Sequence, residues 1–152
     1  MDIELVPCYG DRALFMKMAK EYVETLHKHD PKIVWDKLTW EKAVWDARFI
    51  LEGRTIQGFA IVEEVKFALY NDLLYISEFF IEPEARRHGL GIEAVKQLTD
   101  YWGGDIFLYV LNNNFEAKAF WMAVEERLGW KRVWRPEIRQ EQGCTLLTFQ
   151  KG

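Results

Sequence analysis

The sequence predicts an α/β fold in one domain, residues 1–152, with helices packed on a central mixed sheet. Two apolar runs, Leu73 to Ile81 and Asp105 to Leu111, have the length and composition of buried strands. A segment of helical periodicity lies between them and ends at two glycines. Strand and helix patterns alternate along the rest of the chain, without an internal repeat or a linker. This alternation is typical of the α/β class.

Composition and charge exclude several classes of protein. The 152 residues are 49% hydrophobic and 29% charged, as expected for one globular domain. No apolar run approaches the roughly 18 residues of a membrane span, and Met1 to Pro7 lacks the pattern of a signal peptide. Cys8 and Cys144 have neither a disulfide pattern nor metal-ligand spacing. The net charge of −4, without a basic run, argues against nucleic acid. We therefore expect a cytoplasmic protein with no metal, no membrane and no nucleic acid as a partner.

Three elements are predicted in the N-terminal third. Ile3 to Val6 has the pattern of a short edge strand. Asp11 precedes apolar residues at helical spacing and is the predicted N-cap of a helix that Pro31 prevents from continuing. Thr39 is the predicted cap of a second, short helix.

The middle of the chain predicts a run of strands. Phe49 to Leu51 and Ile56 to Val65 are strand-like and are joined by a turn. Gly58 lies inside the second strand and predicts a bulge or a close approach of another backbone. Asn71 and Asp72 predict the next reversal.

The C-terminal half contains two helices and the last strands. The first helix is predicted from Gly89 to Trp102, with four residues buried: Ile92, Val95, Leu98 and Trp102. Asn114 is the predicted start of the next helix and Gly129 its C-terminal glycine. The two final strands are predicted from Trp130 to Arg135 and from Cys144 to Phe149.

The segment after the Leu73 strand has the features of an anion site. Gly89 and Gly91 open a helix, so the backbone can approach a ligand without collisions from Cβ atoms. The N–H groups of a first helical turn have no intrahelical partner and lie at the positive end of the helix dipole. Arg86 and Arg87 supply charged donors beside them. A pyrophosphate is the predicted occupant.

Two nucleotide-binding motifs are less consistent with this segment. Gly89 to Ala94 also satisfies the dinucleotide fingerprint G-x-G-x-x-[GA]. That motif requires its glycines to follow directly on a strand near the start of a βαβ unit, whereas Glu82 to His88 intervene here. A phosphate-loop NTPase is excluded because no G-x-x-x-x-G-K-[ST] occurs.

The full pattern resembles that of a known family. It reads Ile81-Glu82-Pro83 and then Arg86-x-x-Gly89-x-Gly91. A second segment follows at the expected distance, Asn114-x-x-Ala117-x-x-Phe120-Trp121 and then Leu128-Gly129-Trp130. Both resemble motifs of the GNAT superfamily of N-acetyltransferases, which use acetyl-CoA. The resemblance covers essentially the whole chain and implies a mostly antiparallel sheet, splayed at the cofactor strand and flanked by helices.

The resemblance also implies where acetyl-CoA binds. The pantetheine arm is expected along the backbone of the Leu73 strand, and the pyrophosphate on the amides of the glycine loop. Asn114 is expected to meet the pantetheine arm from the opposite wall. The implied cofactor-binding residues are Phe79, Ile81, Arg86, Arg87, His88, Gly89, Leu90, Gly91, Ile92 and Asn114.

An acceptor amine is expected to attack the thioester directly, without a covalent enzyme intermediate. Glu78 is the candidate catalytic base, because family members place an acid three residues before the end of this strand. Its apolar neighbours would raise its pKa towards the working range. The alternative is that Glu78 faces solvent or pairs with an arginine.

One position departs from the family pattern. Trp121 stands where the family usually has a tyrosine that assists the departing sulfur, and indole cannot act as a general acid. Water, Tyr109 or Cys144 remain as proton donors to the thiolate. Trp121 therefore leaves open a non-catalytic module that binds acyl-CoA for regulation or scaffolding, and transfer of another group is a third alternative.

The acceptor is predicted only by class. A small molecule, a polyamine-like cation or a protein amine would fit, and the acidic balance mildly favours a cation. Trp35, Trp40 and Trp45 either contact this acceptor or pack against the sheet, and packing is the simpler expectation. Exposed sheet edges are compatible with a homodimer.

Overall fold

A computed structural model describes residues 1–67 and 72–151. It contains the predicted order of strands and helices. The strands are β1 (Ile3–Pro7), β2 (Ala47–Glu52), β3 (Thr55–Val65), β4 (Leu73–Ile81), β5 (Ile106–Leu111), β6 (Lys131–Arg132) and β7 (Cys144–Gln150). The helices are α1 (Arg12–His29), α2 (Lys37–Ala43), α3 (Leu90–Thr99) and α4 (Phe115–Leu128). Of the predicted reversal at Asn71 and Asp72, Asn71 lies outside the described residues.

The seven strands form one sheet in the order β1-β2-β3-β4-β5-β7-β6. Antiparallel pairing joins β1 with β2, β2 with β3, β5 with β7, and β6 with β7. Strands β4 and β5 are parallel, and their register pairs Leu74 with Ile106 and Tyr75 with Phe107. The predicted mixed, mostly antiparallel α/β fold is confirmed. The parallel pairing of β4 with β5 is short, as expected for two strands that splay apart beyond their paired residues.

The chain divides into two compact units. The first contains Met1–Ile61 and Glu78–Ala94, and the second contains Val62–Ser77 and the chain from Val95 onward. Strands β3 and β4 contribute residues to both units. The assignment of residues 1–152 to a single domain remains a prediction.

An aromatic cluster forms the centre of the first unit. Phe15 and Phe59 are fully buried and meet edge to face, with ring centroids 5.2 Å apart. Tyr22 packs against Phe59 at 5.5 Å and against Phe80 of β4 at 5.7 Å. Rings at such distances add to the stability gained from burial alone. These contacts hold α1 against the strand that leads into the candidate site.

The N-terminal helices begin as side-chain chemistry dictates, with one correction. The predicted cap of α1 is confirmed, since the Asp11 carboxylate accepts a hydrogen bond from the Leu14 N–H at 3.2 Å. The predicted cap of α2 is wrong, because Thr39 lies inside the helix and Asp36 is the N-cap residue. The Thr39 hydroxyl donates to the Asp36 carboxylate at 2.8 Å, which links the two residues within the first turn.

The three N-terminal tryptophans have different environments. Trp40 is buried in the core of the first unit, and half-buried Trp35 stacks on it with ring centroids 6.4 Å apart. Trp45 is 57% exposed and stacks on Tyr9, with the Arg12 guanidinium 4.4 Å above its ring. Packing is thus the role of Trp40, while Trp45 lies on the surface.

Two predicted elements are shorter in the structure. Helix α3 ends at Thr99 rather than Trp102, and the half-buried Trp102 donates its indole N–H to the Asp105 carbonyl at 2.9 Å. Strand β6 ends at Arg132 rather than Arg135, and Arg135 forms an ion pair with Asp105. Four residues of this helical segment were predicted to be buried, and two of them, Ile92 and Trp102, are only half-buried. A core of Leu73, Phe107 and Ile138, joined by stacked Tyr75, supports the second unit.

Gly58 confirms both features predicted for it. The register between β2 and β3 shifts after Ile50 and Gly58, so Gln57 is an extra residue in β3. A Cβ atom at Gly58 would lie 2.0 Å from the Phe80 carbonyl oxygen, which is far inside van der Waals contact. Next to it, the Glu82 N–H donates to the Gln57 carbonyl at 2.7 Å. Only glycine permits β3 to lie this close to the end of β4.

Gly58→Ala is therefore expected to destabilise the protein. Overpacking against a backbone atom should lower the free energy of unfolding by about 1–3 kcal/mol. That loss corresponds to a fall in Tm of roughly 2–10 °C, measurable in a thermal melt. Gly10→Ala is the matched control, because a Cβ there meets nothing within 4 Å. Equal Tm values for Gly58→Ala and Gly10→Ala would contradict the close approach of Gly58 to the Phe80 carbonyl.

Candidate active site

The end of β4 continues into a loop that its own side chains close. After Ile81 the chain makes a 3-10 turn over Pro83–Ala85. The Arg86 Nε–H then donates back to the Ile81 carbonyl at 2.8 Å, and its guanidinium lies 5.8 Å from the centre of the Phe80 ring. Arg86 was predicted on the rim of an anion site, and here its Nε contact binds the loop to β4. The binding of an anion by Arg86 remains a prediction.

The glycine loop has the backbone of an anion cradle. Arg87 and Gly89 both have positive φ angles, 67° and 82°. Left-handed backbone is costly for arginine and unstrained for glycine. Helix α3 starts immediately afterwards at Leu90, which is buried and anchors the helix, so the first-turn N–H groups include those of Gly91 and Ile92. Strained backbone next to a helix N-terminus fits a phosphate group.

Glu78 lies in β4 with its carboxyl partly withdrawn from solvent. The residue is half-buried, and its Oε2 atom is shielded from water. The alternative of a fully solvent-facing Glu78 is therefore excluded. Its neighbours Ser77 and Phe79 are also half-buried. Glu78 and the predicted contacts from Phe79 to Ile92 belong to one continuous stretch at the border of β4 and α3.

A second carboxyl group near the end of β4 was not predicted as a site residue. Glu82 follows β4 and has two acidic neighbours that act on its carboxyl group, Glu21 of α1 and Glu84. Partial burial is the largest cause that raises the pKa of Glu82, and the interactions with Glu21 and then Glu84 add to it. The positive charge of Arg86 acts in the opposite direction. The pKa of Glu82 rises from its ordinary value of 4.5 to about 7. Glu21 and Glu82 are far apart in the chain, and no motif links them. Only the packing of α1 on β4 reveals the pair.

The remaining predicted residues belong to the second unit. Asn114 is the N-cap of α4, and its side-chain oxygen accepts a hydrogen bond from the Ala117 N–H at 3.1 Å. Its predicted contact with pantetheine remains a prediction. Trp121 is 6% exposed and meets Phe120 edge to face at 5.0 Å. Burial agrees with a packing role for Trp121.

Tyr109 is a poor proton donor in this arrangement. Its hydroxyl donates to the Arg139 carbonyl. Burial, and then the charges of Glu141 and Cys144, raise the pKa of Tyr109 above its ordinary value, although Arg139 acts in the opposite direction. A higher pKa means that the hydroxyl gives up its proton less readily. Cys144 is half-buried at the start of β7.

The comparison with protein families agrees with this geometry. The model of the acetyltransferase (GNAT) family matches residues 13–125, well over half of the chain. The chain belongs to this family. The match includes β4, the glycine loop, α3 and most of α4. No curated protein sequence matches the chain.

Solved structures share the fold at low sequence identity. An acetyltransferase from Thermus thermophilus has a TM-score of 0.65 and 18% identity, over 98% of this chain and 96% of that one. The paia N-acetyltransferase from Thermoplasma acidophilum, in complex with coenzyme A, has a TM-score of 0.61 and 14% identity over 100% of both chains. NAA60 from Arabidopsis thaliana, in complex with a bisubstrate analogue, has a TM-score of 0.61 and 13% identity, over 97% and 96%. These similarities show the fold.

Family membership makes this GNAT protein an acetyltransferase with acetyl-CoA as its co-substrate. The residues present fit that molecule, because the positive φ angles of Arg87 and Gly89 precede the start of α3, whose first-turn N–H groups suit a phosphate group. Among the described helices, none combines the length and the hydrophobicity needed to cross a bilayer.

The backbone strain at Arg87 can be measured with two substitutions. Arg87→Gly and Arg87→Ala remove the same charge, but only glycine adopts φ 67° without strain. We expect Arg87→Gly to be more stable than Arg87→Ala by about 1 kcal/mol, which is roughly 2–4 °C in Tm. Thermal melts of both variants in one buffer give the difference. A less stable Arg87→Gly would mean that the loop is relaxed at this residue.

Proposed function

We propose that this protein transfers an acetyl group from acetyl-CoA to a primary amine by direct attack in a ternary complex. The observation that carries the proposal is the cradle at the end of β4, where Arg87 and Gly89 turn the backbone into the first turn of α3. The partly withdrawn carboxyl of Glu78 lies in the same strand, a few residues earlier. An anion site and a carboxyl group joined by one strand suit acetyl transfer to an amine.

The chain would hold acetyl-CoA through its backbone. The amides from Arg87 to Ile92 would bind the pyrophosphate, with exposed His88 at the rim. The polar backbone groups of Phe79 and Ile81 would bind the pantetheine arm. Arg86 keeps the loop closed through the Ile81 carbonyl, so the two parts of the proposed site are linked by one hydrogen bond. Such preorganisation lowers the cost of ordering the loop on binding.

Glu78 is the proposed base for the transfer. When bound, acetyl-CoA supplies an activated thioester whose thiolate, with a pKa of about 8.5, is a good leaving group. Glu78 would accept a proton from the attacking nitrogen and a backbone N–H near Ile81 would stabilise the oxyanion. A leaving group of this quality does not require a tyrosine, so buried Trp121 at the usual tyrosine position is compatible with turnover.

The acceptor is proposed to approach from the segment between α1 and α2. Val34 in that segment is 64% exposed, Leu38 in the first turn of α2 is 60% exposed, and Trp35 lies between them in the chain, half-buried. Exposed apolar side chains suit the apolar stem of an amine. The similar structure from Thermoplasma acidophilum is that of an N-acetyltransferase, which supports an amine as the acceptor.

Ligand-induced stabilisation tests the proposed binding site. Melts are recorded with CoA, acetyl-CoA, NADH or ATP, each at about 1 mM, which at 100 times Kd adds about 2.7 kcal/mol. We expect both CoA species to raise Tm by roughly 5–10 °C and NADH and ATP to have much less effect. No shift with either CoA species would contradict the proposed cradle.

Substitution of Glu78 tests the proposed base. Glu78→Gln is expected to lower the rate of amine-dependent thiol release by about 10²–10⁴-fold, because an amide cannot accept the proton. Its Tm shift with CoA should equal that of the wild type. Glu63→Gln, an exposed acid on β3, is the control. A wild-type protein that binds CoA without turnover, with every amine tested, would instead favour the non-catalytic acyl-CoA-binding module.

A further inference from the structure

Helix α4 is apolar on two opposite faces. Its inner face carries buried Trp121 and Val124, as expected for a helix that packs on a core. Its outer face carries Phe115, Ala119 and Met122, which are all exposed, Phe115 by 73% and Met122 by 61%. The spacing of these three residues, i, i+4 and i+7, is that of a helix face that packs against another element. The outer face therefore has the pattern of a contact surface.

A groove lies beside this outer face, between the C-terminal half of α4 and β6. It is open and has a volume of about 920 Å³. At its lining, buried Trp130 packs on Phe149 with ring centroids 5.5 Å apart. Arg132 of β6 forms an ion pair with Glu125 of α4 at 2.9 Å, which joins the two walls. The groove is therefore preformed.

We propose that a second copy of this chain binds in the groove and forms a dimer with two-fold symmetry. The two α4 helices lie antiparallel in this dimer. Phe115 of each copy inserts into the groove of the other, and Met122 of each copy packs on Ala119 of the other. Each contact in such a dimer occurs twice, so one surface must carry both the protruding ring and the groove that receives it. The inference goes beyond the proposed acetyl transfer and does not depend on it.

The spacing along α4 fits this arrangement. With the two-fold axis between Ala119 and Met122, Phe115 of one copy lies opposite Glu126 of the other, at the end of α4 where the groove lies. Phe115 and Glu126 are about 16 Å apart along the helix axis. The small side chain of Ala119 leaves room for Met122, as helix packing by interdigitation requires. Aromatic residues and Met are also enriched in the cores of protein interfaces.

The charges along α4 favour a second copy as the occupant. Lys118 lies near the start of the helix, whereas Glu125 and Glu126 lie near its end. The Lys118 Nζ donates to the Asn112 carbonyl at 2.6 Å and lies 5.7 Å from the centre of the Phe115 ring, so the two side chains are positioned together. An antiparallel copy brings Lys118 of each chain beside the two acids of the other and opposes the two helix dipoles. The surface is thus complementary to itself.

Strand pairing at the edge of the sheet is not part of the proposed contact. Strand β6 is the outermost strand, and it consists of Lys131 and Arg132 alone. Short edge strands with basic side chains resist pairing with another sheet. Packing of side chains from α4 into the groove therefore carries the contact.

The test measures the oligomeric state of the full chain by sedimentation velocity over a range of concentrations. We expect a concentration-dependent dimer for the wild type. Phe115→Ser should raise the dimer Kd by about 30-fold, an effect typical of an aromatic anchor in an interface. Tyr101→Ser is the control, because it removes a ring that is 60% exposed but lies outside the groove, and it should leave Kd unchanged. A wild type that stays monomeric, an unchanged Kd for Phe115→Ser or an equal rise for Tyr101→Ser would overturn the inference.

Reversal of charge tests the antiparallel orientation. Lys118→Glu and Glu126→Lys should each raise the dimer Kd by about tenfold, because like charges then face each other across the axis. The double variant restores opposite charges and should recover most of the wild-type affinity. A double variant that is no better than the single variants would overturn the arrangement.

Thermal melts separate loss of the dimer from loss of the fold. The Tm of a protein stabilised by self-association rises with protein concentration. We expect this rise for the wild type and Tyr101→Ser, and its absence for Phe115→Ser. At low concentration Phe115→Ser should melt within about 2 °C of the wild type, because position 115 is on the surface. A dimer without any Tm shift on addition of CoA would support this inference and contradict the proposed cradle, so the two proposals fail separately.

Discussion

The close approach of the Phe80 carbonyl oxygen to Gly58 fixes how near β3 lies to the end of β4. A side chain of any size at position 58 would push the two strands apart, because its first atom would lie 2.0 Å from that oxygen. The extra residue Gln57 accepts the hydrogen bond from Glu82, which places the following turn. One small residue on β3 therefore sets the starting point of the glycine loop. The proposed anion cradle follows this end of the strand in the chain, and Glu78 precedes it by three residues.

The anion site that we propose at the glycine loop would be built mainly from backbone. Arg86 closes the loop on the Ile81 carbonyl, and Arg87 accepts a left-handed conformation that it would otherwise avoid. Strain of this kind costs of order 1–3 kcal/mol and persists only where the surrounding structure enforces it. Buried Leu90 anchors the helix that follows. The stability of the core therefore supports a segment that would not be stable by itself.

The carboxyl groups around β4 differ in environment and hence in chemistry. The Oε2 atom of Glu78 is shielded from water within the strand, whereas Glu82 follows the strand and has the carboxyl groups of Glu21 and Glu84 as neighbours. Repulsion between like charges raises the pKa of a carboxyl group in such a position. The missing tyrosine at Trp121 is less important, because a thiolate leaves readily.

Sequence by itself determined the α/β class, the order of the elements, the cap at Asp11, the start of α4 at Asn114, and the loop from Arg86 to Gly91. These features depend on local chemistry: side-chain periodicity, capping oxygen atoms and glycines that permit positive φ. Only the tertiary structure decided the contacts of the Trp102 indole and of Arg135 with Asp105, and the ends of α3 at Thr99 and of β6 at Arg132. It also decided the meeting of Glu21 and Glu82, which no motif encodes. Contacts between residues distant in the chain follow from packing, and for that reason no local pattern predicts them.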